Sequence, residues 1–431
     1  MQSNSFPISS HAPTSLLSRR QVLRSSALAA TWGCLAANGL HLQAANPAIG
    51  PLAPKKKVAA ITTIYRKGSH ADVLLGKILE GWHHDGGPGP ALELVSLVVD
   101  QTPADDMSVA MASKHGFRFC RTITEALTLG GDRLAVDGVI SIGEHGEYPW
   151  NEFGQHLYPR KRFFEGIMDT FQATGQTVPV FNDKHPGPEW KDAIWMYERA
   201  KAMHVTWMAG SSLPVSFRSP DHDLPWHAKV RGAVAIGYSG LDIYGIHTLE
   251  FMQCILERRE GGETGISYVQ SFPTESLARL IASGVVQADL LDAGLQVAGT
   301  DRATVLASPP ADGAIFLVGY KDGLVVPVVM LASLAKGIAL AVQADGQPLF
   351  ATRVEEREKP YYPHFAYLLK GIETMIHTGQ AVYPIERNML TAGALDRLLV
   401  SKREGGKRIE TPDLEIAYAP TNRAYAPHLE L

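Results

Sequence analysis

Side chains that titrate or bind metals are concentrated directly after four short apolar runs of the chain. These runs, residues 58–64, 92–99, 136–142 and 178–181, are rich in Val and Ile and are typical of buried parallel strands. In open α/β sheets, ligands bind beyond the carboxyl ends of such strands. We therefore expect a site built from the residues that follow them: Tyr65, Arg66, Ser69, His70, Asp100, Glu144, His145, Asp183, Lys184 and His185.

Two chemistries are open to this set. Lys184 can exchange a proton with a ligand if burial and neighbouring cations lower its pKa, although Asp183 beside it opposes that lowering. Alternatively, imidazole and carboxylate groups would hold a divalent metal. Its ligands would be His70, Glu144, His145 and His185, none of which has a spacing diagnostic of a metal. A polar loop with a capping role is the alternative for Glu144 and His145.

Helical segments separate the four runs and set the fold class of the first half. Their apolar spacing predicts helices over residues 70–80, 107–115, 122–129, 163–174 and 190–203. Strands that alternate with helices predict a doubly wound parallel sheet, a Rossmann-like domain of the nucleotide-binding type over residues 58–212.

The pattern changes after residue 212. A helix over 241–260 is followed by strand-like runs with few long helices between them, at 265–271, 314–320, 325–331 and 338–342. This arrangement predicts an α+β domain over 213–412 with a large, mostly antiparallel sheet. Two C-terminal helices, 364–377 and 386–400, are expected to return to the first domain, and 413–431 forms a tail.

Composition and charge exclude several classes of protein. The chain has 431 residues, of which 45% are hydrophobic, and its formal net charge is -4. These values exclude whole-chain disorder, and no basic footprint suggests nucleic-acid binding. Three cysteines, Cys34, Cys120 and Cys254, cannot form a disulfide scaffold.

The first 45 residues are treated as a targeting segment. They contain no Asp or Glu, and Arg19-Arg20 precede a mildly apolar stretch over residues 25–42. This pattern resembles a twin-arginine signal, with a Sec signal or a disordered leader as the alternative. The stretch is too polar for a stable membrane anchor. We expect an exported, periplasmic protein with a linker over 46–57.

Four short motifs resemble those of one known family. They are Asp-Gly-Val-Ile-Ser-Ile at 137–142, Asn-Asp-Lys-His at 182–185, Gly-Ile-His-Thr-Leu-Glu at 245–250, and the closing helix 386–401 with its Gly-Gly-Lys at 405–407. Their order and spacing resemble the glucose–fructose oxidoreductase / inositol dehydrogenase (Gfo/Idh/MocA) family over about residues 58–412.

The resemblance implies an oxidoreductase that uses NAD or NADP on a hydroxyl or carbonyl group of a carbohydrate or polyol, and a possible homo-oligomer. Lys184 would contact the substrate hydroxyl, and His247 would be its acid–base partner. Asp242 would orient His247 or bind substrate. Glu144 and His145 would complete the catalytic set. The cofactor would contact Thr63, Tyr65, Arg66, Ser69, Asp100 and Glu144.

Three departures weaken the implied use of a dinucleotide. The first turn contains Gly68 as its single glycine, and bulky Tyr65 and Arg66 occupy the region where a pyrophosphate would lie. Asp-Lys-His replaces the Glu-Lys-Pro of the family. Asp242 stands five residues before His247, where the family has four.

Three functions therefore stay open. The first is the oxidoreductase. The second is a non-redox lyase, hydrolase or epimerase acting on carbohydrates, possibly with a divalent metal. The third is a carbohydrate-binding protein without catalysis, for which Lys184 and His247 would be dispensable.

Overall fold

The computed structural model describes residues 54–431. The expected signal segment, residues 1–45, and most of the expected linker lie outside the described residues. The last two residues of that linker, Lys56 and Lys57, are already the start of the first strand. Within residues 54–431, no helix combines the length and apolar character needed to cross a bilayer.

A six-stranded parallel sheet forms in the first half, in the order β3-β2-β1-β4-β5-β6. Its central strands are buried on both faces, which explains their continuous apolar sequences. The strands are β1 Lys56–Thr62, β2 Leu92–Val99, β3 Arg118–Phe119, β4 Gly138–Ile142, β5 Val180–Asp183 and β6 Trp207–Gly210. Strand order reverses between β1 and β4, where the carboxyl ends open a crevice.

Five helices cover the two faces of this sheet. They are α1 His70–Glu80, α2 Ser108–His115, α3 Ile123–Thr128, α4 Arg160–Thr174 and α5 Trp190–Ala202. The predicted bounds of α1 and β2 agree with those of the structure. Strands β3 and β6 were not predicted, and β3, with two residues, is too short to show a period.

An eight-stranded sheet forms in the second half, in the order β14-β9-β10-β11-β8-β12-β13-β7. All neighbours in it are antiparallel except β11 and β8. Its strands are β7 Phe217–Ser219, β8 Val230–Gly237, β9 Ile266–Phe272, β10 Ala314–Tyr320, β11 Val325–Met330, β12 Ala339–Ala344, β13 Phe350–Glu355 and β14 Ile409–Glu410. The predicted fold class, a Rossmann-like parallel sheet with a mostly antiparallel second sheet, is confirmed.

Helices pack on both faces of the second sheet. They are α6 Gly245–Leu256, α7 Leu277–Ala282, α8 Ala288–Val297, α9 Arg302–Ala307, α10 His364–Thr378 and α11 Ile385–Arg403. One face packs on α6 and α11, and the other packs on α7, α8 and α9. Helix α10 joins the core of the first sheet beside α1. These packings bring α6 and the start of α10 to the carboxyl edge of the parallel sheet.

Candidate active site

A cavity of about 450 Å³ opens at the carboxyl edge of the parallel sheet, between that edge and α6. This volume lies in the range of small-molecule sites. One wall follows the strands β1, β4 and β5, and the other comes from α6, the end of β8 and the segment before α10. The polar residues that line it are His70, Glu144, His145, Tyr158, Lys184, Ser212, Tyr238, Tyr244, His247, Glu356, Glu358, Tyr362 and His364.

Lys184 follows β5 and is held by a buried carboxylate. Its side chain is 3% exposed, and its Nζ donates a hydrogen bond of 2.8 Å to Glu144 Oε1. The backbone of Lys184 has a φ of +60°, and its N–H donates to Gly210 O on β6. A lysine rarely adopts this conformation, so neighbouring structure imposes it. The cation is thereby fixed in one position at the cavity wall.

Glu144 also pairs with a second cation, Arg160, and the sequence did not reveal this contact. Arg160, the first residue of α4, donates from Nη2 to Glu144 Oε2 at 2.8 Å and from Nε to Gly143 O at 3.0 Å. Burial raises the pKa of Glu144, but Lys184 and Arg160 together hold it well below its usual range. Glu144 is therefore a permanent anion that orders two cations. The position of Arg160 at the start of α4 does not by itself indicate that its side chain points into the protein towards Glu144.

The expected metal ligands are engaged in other contacts. His185 Nε2 faces Arg160 Nη1 at 3.2 Å, and burial and then Arg160 hold the pKa of His185 well below its usual value. His70 Nδ1 lies 2.6 Å from Asp183 Oδ2. Among residues 54–431, no group of three or more His, Cys, Asp or Glu side chains has the arrangement of a metal site. The metal alternative thus has no assembled ligand set in that range.

The His70–Asp183 pair is a second feature that the sequence did not reveal. Its members stand 113 residues apart, and from the sequence Asp183 was expected to oppose a lowering of the pKa of the neighbouring Lys184. The Asp183 side chain is 1% exposed, and the His70 ring packs edge to face against the rings of His145 and Phe365. A carboxylate at Nδ1 fixes the tautomer of an imidazole and leaves Nε2 as an acceptor. His70 thus has the arrangement of an oriented base at the cavity.

His247 lies on α6, across the cavity from the sheet edge. It is 8% exposed, and its Nδ1 is buried without a hydrogen-bond partner among the described residues. Burial, then Lys184 and His70, lowers the pKa of His247 well below its usual value, and burial and His70 lower that of His145 to about 4. Both imidazoles are therefore neutral near pH 7, and each keeps a ring nitrogen that can accept a hydrogen bond.

Asp242 occupies a different place from the expected one. It precedes α6, and its Oδ2 accepts from His156 N at 2.9 Å rather than orienting His247. Helix α6 begins at Gly245, not at the predicted residue 241, so Asp242 lies in a turn. Burial raises its pKa to about 6. Asp242 is not among the residues that line the cavity.

The far wall carries polar groups from two strands that the sequence patterns did not predict and from the start of a helix that they did predict. Tyr238, just after β8, donates to Glu356 Oε1 at 2.9 Å, and burial raises the pKa of Glu356. His364 begins α10, and burial and Lys77 lower its pKa to about 3. Strands β8 and β13, which bring in Tyr238 and Glu356, lack a clear alternation of polar and apolar residues.

The β1–α1 turn is filled by groups of the chain itself. Gly68 N donates to Asp72 Oδ2 at 2.8 Å, and the Tyr361 hydroxyl also bonds to that carboxylate. Ser69 caps α1 by accepting from Asp72 N. Tyr65, expected beside a phosphate, is fully buried in the core, while Arg66 is exposed and near Asp105. A helix N-terminus binds anions through free N–H groups, and here a buried carboxylate already accepts from the turn.

The end of β2 is covered in a similar way. Asp100 Oδ2 accepts from Tyr148 Oη and from Arg162 Nη2, both at 2.7 Å. Arg162 and Tyr148 hold the pKa of Asp100 below its usual value, although burial acts to raise it. The residues present therefore do not offer the free carboxylate that binds ribose hydroxyls.

The loop over residues 144–148 lies across the ends of β1 and β2. Thr63 Oγ1 donates to Glu144 O at 2.5 Å, and Gln101 exchanges two hydrogen bonds with the backbone of Glu147. Gly146 packs so closely that an added Cβ would lie 2.8 Å from the Tyr148 ring and 3.4 Å from Ile64. As arranged, Thr63, Tyr65, Ser69 and Asp100 do not fit a dinucleotide seated on this edge.

Solved structures share this architecture. GenD2 from gentamicin A biosynthesis, in complex with NAD, has a TM-score of 0.53 at 13% identity and covers 83% of this chain and 96% of its own. Myo-inositol dehydrogenase from Lactobacillus casei, in complex with NAD(H) and myo-inositol, gives 0.52 at 10%, covering 85% and 99%. Myo-inositol dehydrogenase from Corynebacterium glutamicum gives 0.50 at 12%, covering 83% and 98%.

No protein-family model matches the chain, and no curated protein sequence matches it. The likeness to solved structures therefore shows the fold, which is that of sugar and polyol dehydrogenases of the Gfo/Idh/MocA type.

Proposed function

We propose that this protein is an enzyme that moves protons at a hydroxyl- or carbonyl-bearing carbon of a sugar or polyol. One observation carries the proposal: a cation fixed by a buried carboxylate, Lys184 on Glu144, shares a 450 Å³ cavity with the neutral imidazole of His247. The fold supports the substrate class, because myo-inositol is bound in a solved structure that has it.

The arrangement suits removal of a proton from a carbon next to a carbonyl group. His247 or His70 accepts the proton, and the electron pair of the broken C–H bond moves onto the carbonyl oxygen. The ammonium group of Lys184 stabilises the negative charge on that oxygen. Return of the proton to the opposite face gives an epimer, and loss of a group from the next carbon gives an elimination product.

A second candidate is an oxidoreductase that uses NAD or NADP. The fold favours it, since GenD2 and the Lactobacillus casei enzyme were solved with this cofactor. The bound nucleotide would supply hydride transfer. Against it stand Asp72 at the β1–α1 turn and the engaged Asp100, which would have to give way.

One experiment separates the candidates. Protein purified from its native host is denatured, and the released small molecules are analysed by absorbance and mass. The same preparation is incubated in D₂O with aldoses, ketoses and oxidised inositols, and deuterium uptake is measured by mass spectrometry. Proton transfer predicts uptake without a released nicotinamide nucleotide, whereas a stoichiometric nucleotide would establish the oxidoreductase.

Two substitutions and two matched controls test the site. Lys184→Ala and His247→Ala should each lower exchange by about 10²–10⁴-fold, the range for acid–base groups. Lys191→Ala and His83→Ala alter exposed residues and should leave it unchanged. If a sugar binds equally well to the wild type and to Lys184→Ala and no exchange occurs, the protein is a binding protein and the proposal fails.

Export through a twin-arginine signal is a separate proposal, supported by Arg19-Arg20 and the absence of acidic residues before residue 46. Replacing both arginines with lysine should retain the protein in the cytoplasm, as measured by cell fractionation. Unchanged periplasmic yield would contradict it.

A further inference from the structure

A second, much smaller cavity of about 20 Å³ lies among four arginines, apart from the residues of the active-site cavity. Each arginine comes from a different part of the chain. Arg218 lies on β7, Arg258 follows α6, Arg387 lies on α11, and Arg423 belongs to the C-terminal segment. Asp223 is the carboxylate among the residues that line the cavity.

The positive charges around the cavity exceed the negative ones. Asp223 pairs with Arg218 at 3.0 Å and with Arg258 at 2.6 Å, so it serves two cations. Arg387 pairs with Glu257, its Nε donating at 2.8 Å. Four guanidinium groups therefore share two carboxylates, and Arg423 forms no ion pair among residues 54–431.

Unpartnered donors add a second, independent observation. Nε and Nη2 of Arg423 and the Nε atoms of Arg218 and Arg258 are buried without hydrogen-bond partners among the described residues. The Arg218 side chain is 3% exposed. The buried hydroxyl of Tyr383 at the same cavity also lacks a partner. Leaving such groups unpaired costs several kcal/mol of stability, which an anion in the cavity would offset.

Glu250, a further buried carboxylate, does not neutralise the excess of positive charge. Glu250, on α6, is already bonded to Asn388 Nδ2 and to Ser211 N. Burial raises its pKa to about 7, so its charge is only partial near neutral pH.

We propose that this cavity binds one monatomic anion of the chloride class. Its volume of about 20 Å³ holds a single water-sized particle, which excludes phosphate, sulfate and organic acids. The four arginines and Tyr383 supply the donors. The bound anion fastens the C-terminal segment, where Ala426 N also donates to Val215 O at 3.0 Å, against the short helix Leu213–Val215.

Thermal unfolding of the full chain tests the site. Chloride replaces gluconate at constant ionic strength, and the midpoint is followed as chloride rises. A specific site predicts a saturable increase of the midpoint, because an ion that binds only the folded state stabilises it by mass action. Bromide should give a similar saturable increase, whereas sulfate, which stabilises folded proteins without binding a site, should give no saturable component. Equal midpoints in chloride and gluconate would overturn the proposal.

A variant and a control assign the effect to the cavity. Arg423→Gln should abolish the chloride response, whereas Arg408→Gln, which changes an exposed arginine, should keep it. A response that persists in Arg423→Gln would overturn the assignment. If that variant does not fold, bromide-soaked crystals of the wild type decide: an anomalous peak among the four arginines is expected, and its absence contradicts the site.

Discussion

The two halves of the parallel-sheet edge have opposite character. Over the ends of β4 and β5, which we call the open half, Glu144 holds Lys184, and Asp183 holds the ring of His70, which reaches across from the start of α1. Both side chains line the open cavity. Over the ends of β1 and β2, which we call the filled half, the Asp72 carboxylate and the Tyr148 side chain occupy the places where a ligand would bind in other proteins of this fold type. The edge therefore presents titratable side chains in the open half, whereas its first turn and Asp100 are engaged by other groups of the chain, although solved structures of the same fold bind a dinucleotide.

The largest expected effect concerns the open half. Glu144→Gln removes the anion that two buried cations share, so Lys184 and Arg160 are left without compensation. Breaking a buried ion pair from one side costs about 3–5 kcal/mol. We expect a loss of that size in the free energy of unfolding, measured by urea denaturation.

Glu410→Gln is the matched control, because Glu410 pairs with Arg408 at the surface and such pairs contribute about 0–1 kcal/mol. Equal losses in the two variants would show that the cations of the open half do not depend on Glu144.

The second effect concerns the filled half. Gly146 has a φ of +99°, and a Cβ there would meet Tyr148 and Gln101 at 2.8 and 3.0 Å. Gly146→Ala should therefore add overpacking, about 1–3 kcal/mol, to the strain of a positive φ. The measurement is again urea unfolding.

Gly154→Ala separates the two causes, because Gly154 has a φ of +77° with nothing within 4 Å of an added Cβ. It should show the strain alone. If both variants lose the same stability, the loop over 144–148 is not tightly packed on the sheet edge, and the contrast between the halves weakens.

The open half was easier to predict from the sequence than the filled one. Lys184 follows a recognisable strand, so the local pattern placed it at the edge, whereas His247 was assigned to the site by the family resemblance of residues 245–250. The Tyr65 side chain points into the core because of its contacts with helices distant in sequence, and no local sequence pattern indicates this orientation. Arg160 and the His70–Asp183 pair depend on long-range contacts in the same way.

The prediction of strands and helices depended on how clear the local sequence pattern was. Buried apolar runs such as Leu92–Val99 were found with their observed bounds. Strand β8, Val230–Gly237, contains two glycines and two alanines and was not predicted. Helices α7, α8 and α9 were not predicted either, although α3, with six residues, was.

The third effect is a dependence of stability on pH in the open half. The pKa of His145 is about 4 in the folded protein, against about 6.5 in an unfolded chain. Below pH 6.5 the unfolded chain binds a proton at His145 and the folded protein does not, so acidification destabilises the folded state. From pH 7 to pH 5 this amounts to about 2 kcal/mol.

His145→Gln should remove that contribution. The difference in unfolding free energy between the wild type and the variant should shift by about 2 kcal/mol between the two pH values, while other titrating groups such as Asp242 cancel. A constant difference would mean that His145 is protonated in the folded protein, and the open half would then hold more positive charge than its contacts indicate.

The smallest effect concerns one hydrogen bond of the filled half. Tyr148→Phe removes the donor at 2.7 Å from Asp100 but leaves Arg162 in place, so we expect a loss of about 1 kcal/mol. A double-mutant cycle with Asp100→Ala isolates the interaction, since Tyr148→Phe should cost less stability when Asp100 is absent.

Calorimetric titration of the Tyr148→Phe variant with NAD tests whether this hydrogen bond alone prevents the nucleotide from binding at the edge of the sheet. Because Asp72 still occupies the β1–α1 turn, we expect no binding of NAD to this variant. A measurable affinity would mean that Tyr148 is what prevents NAD from binding, and it would favour the oxidoreductase candidate.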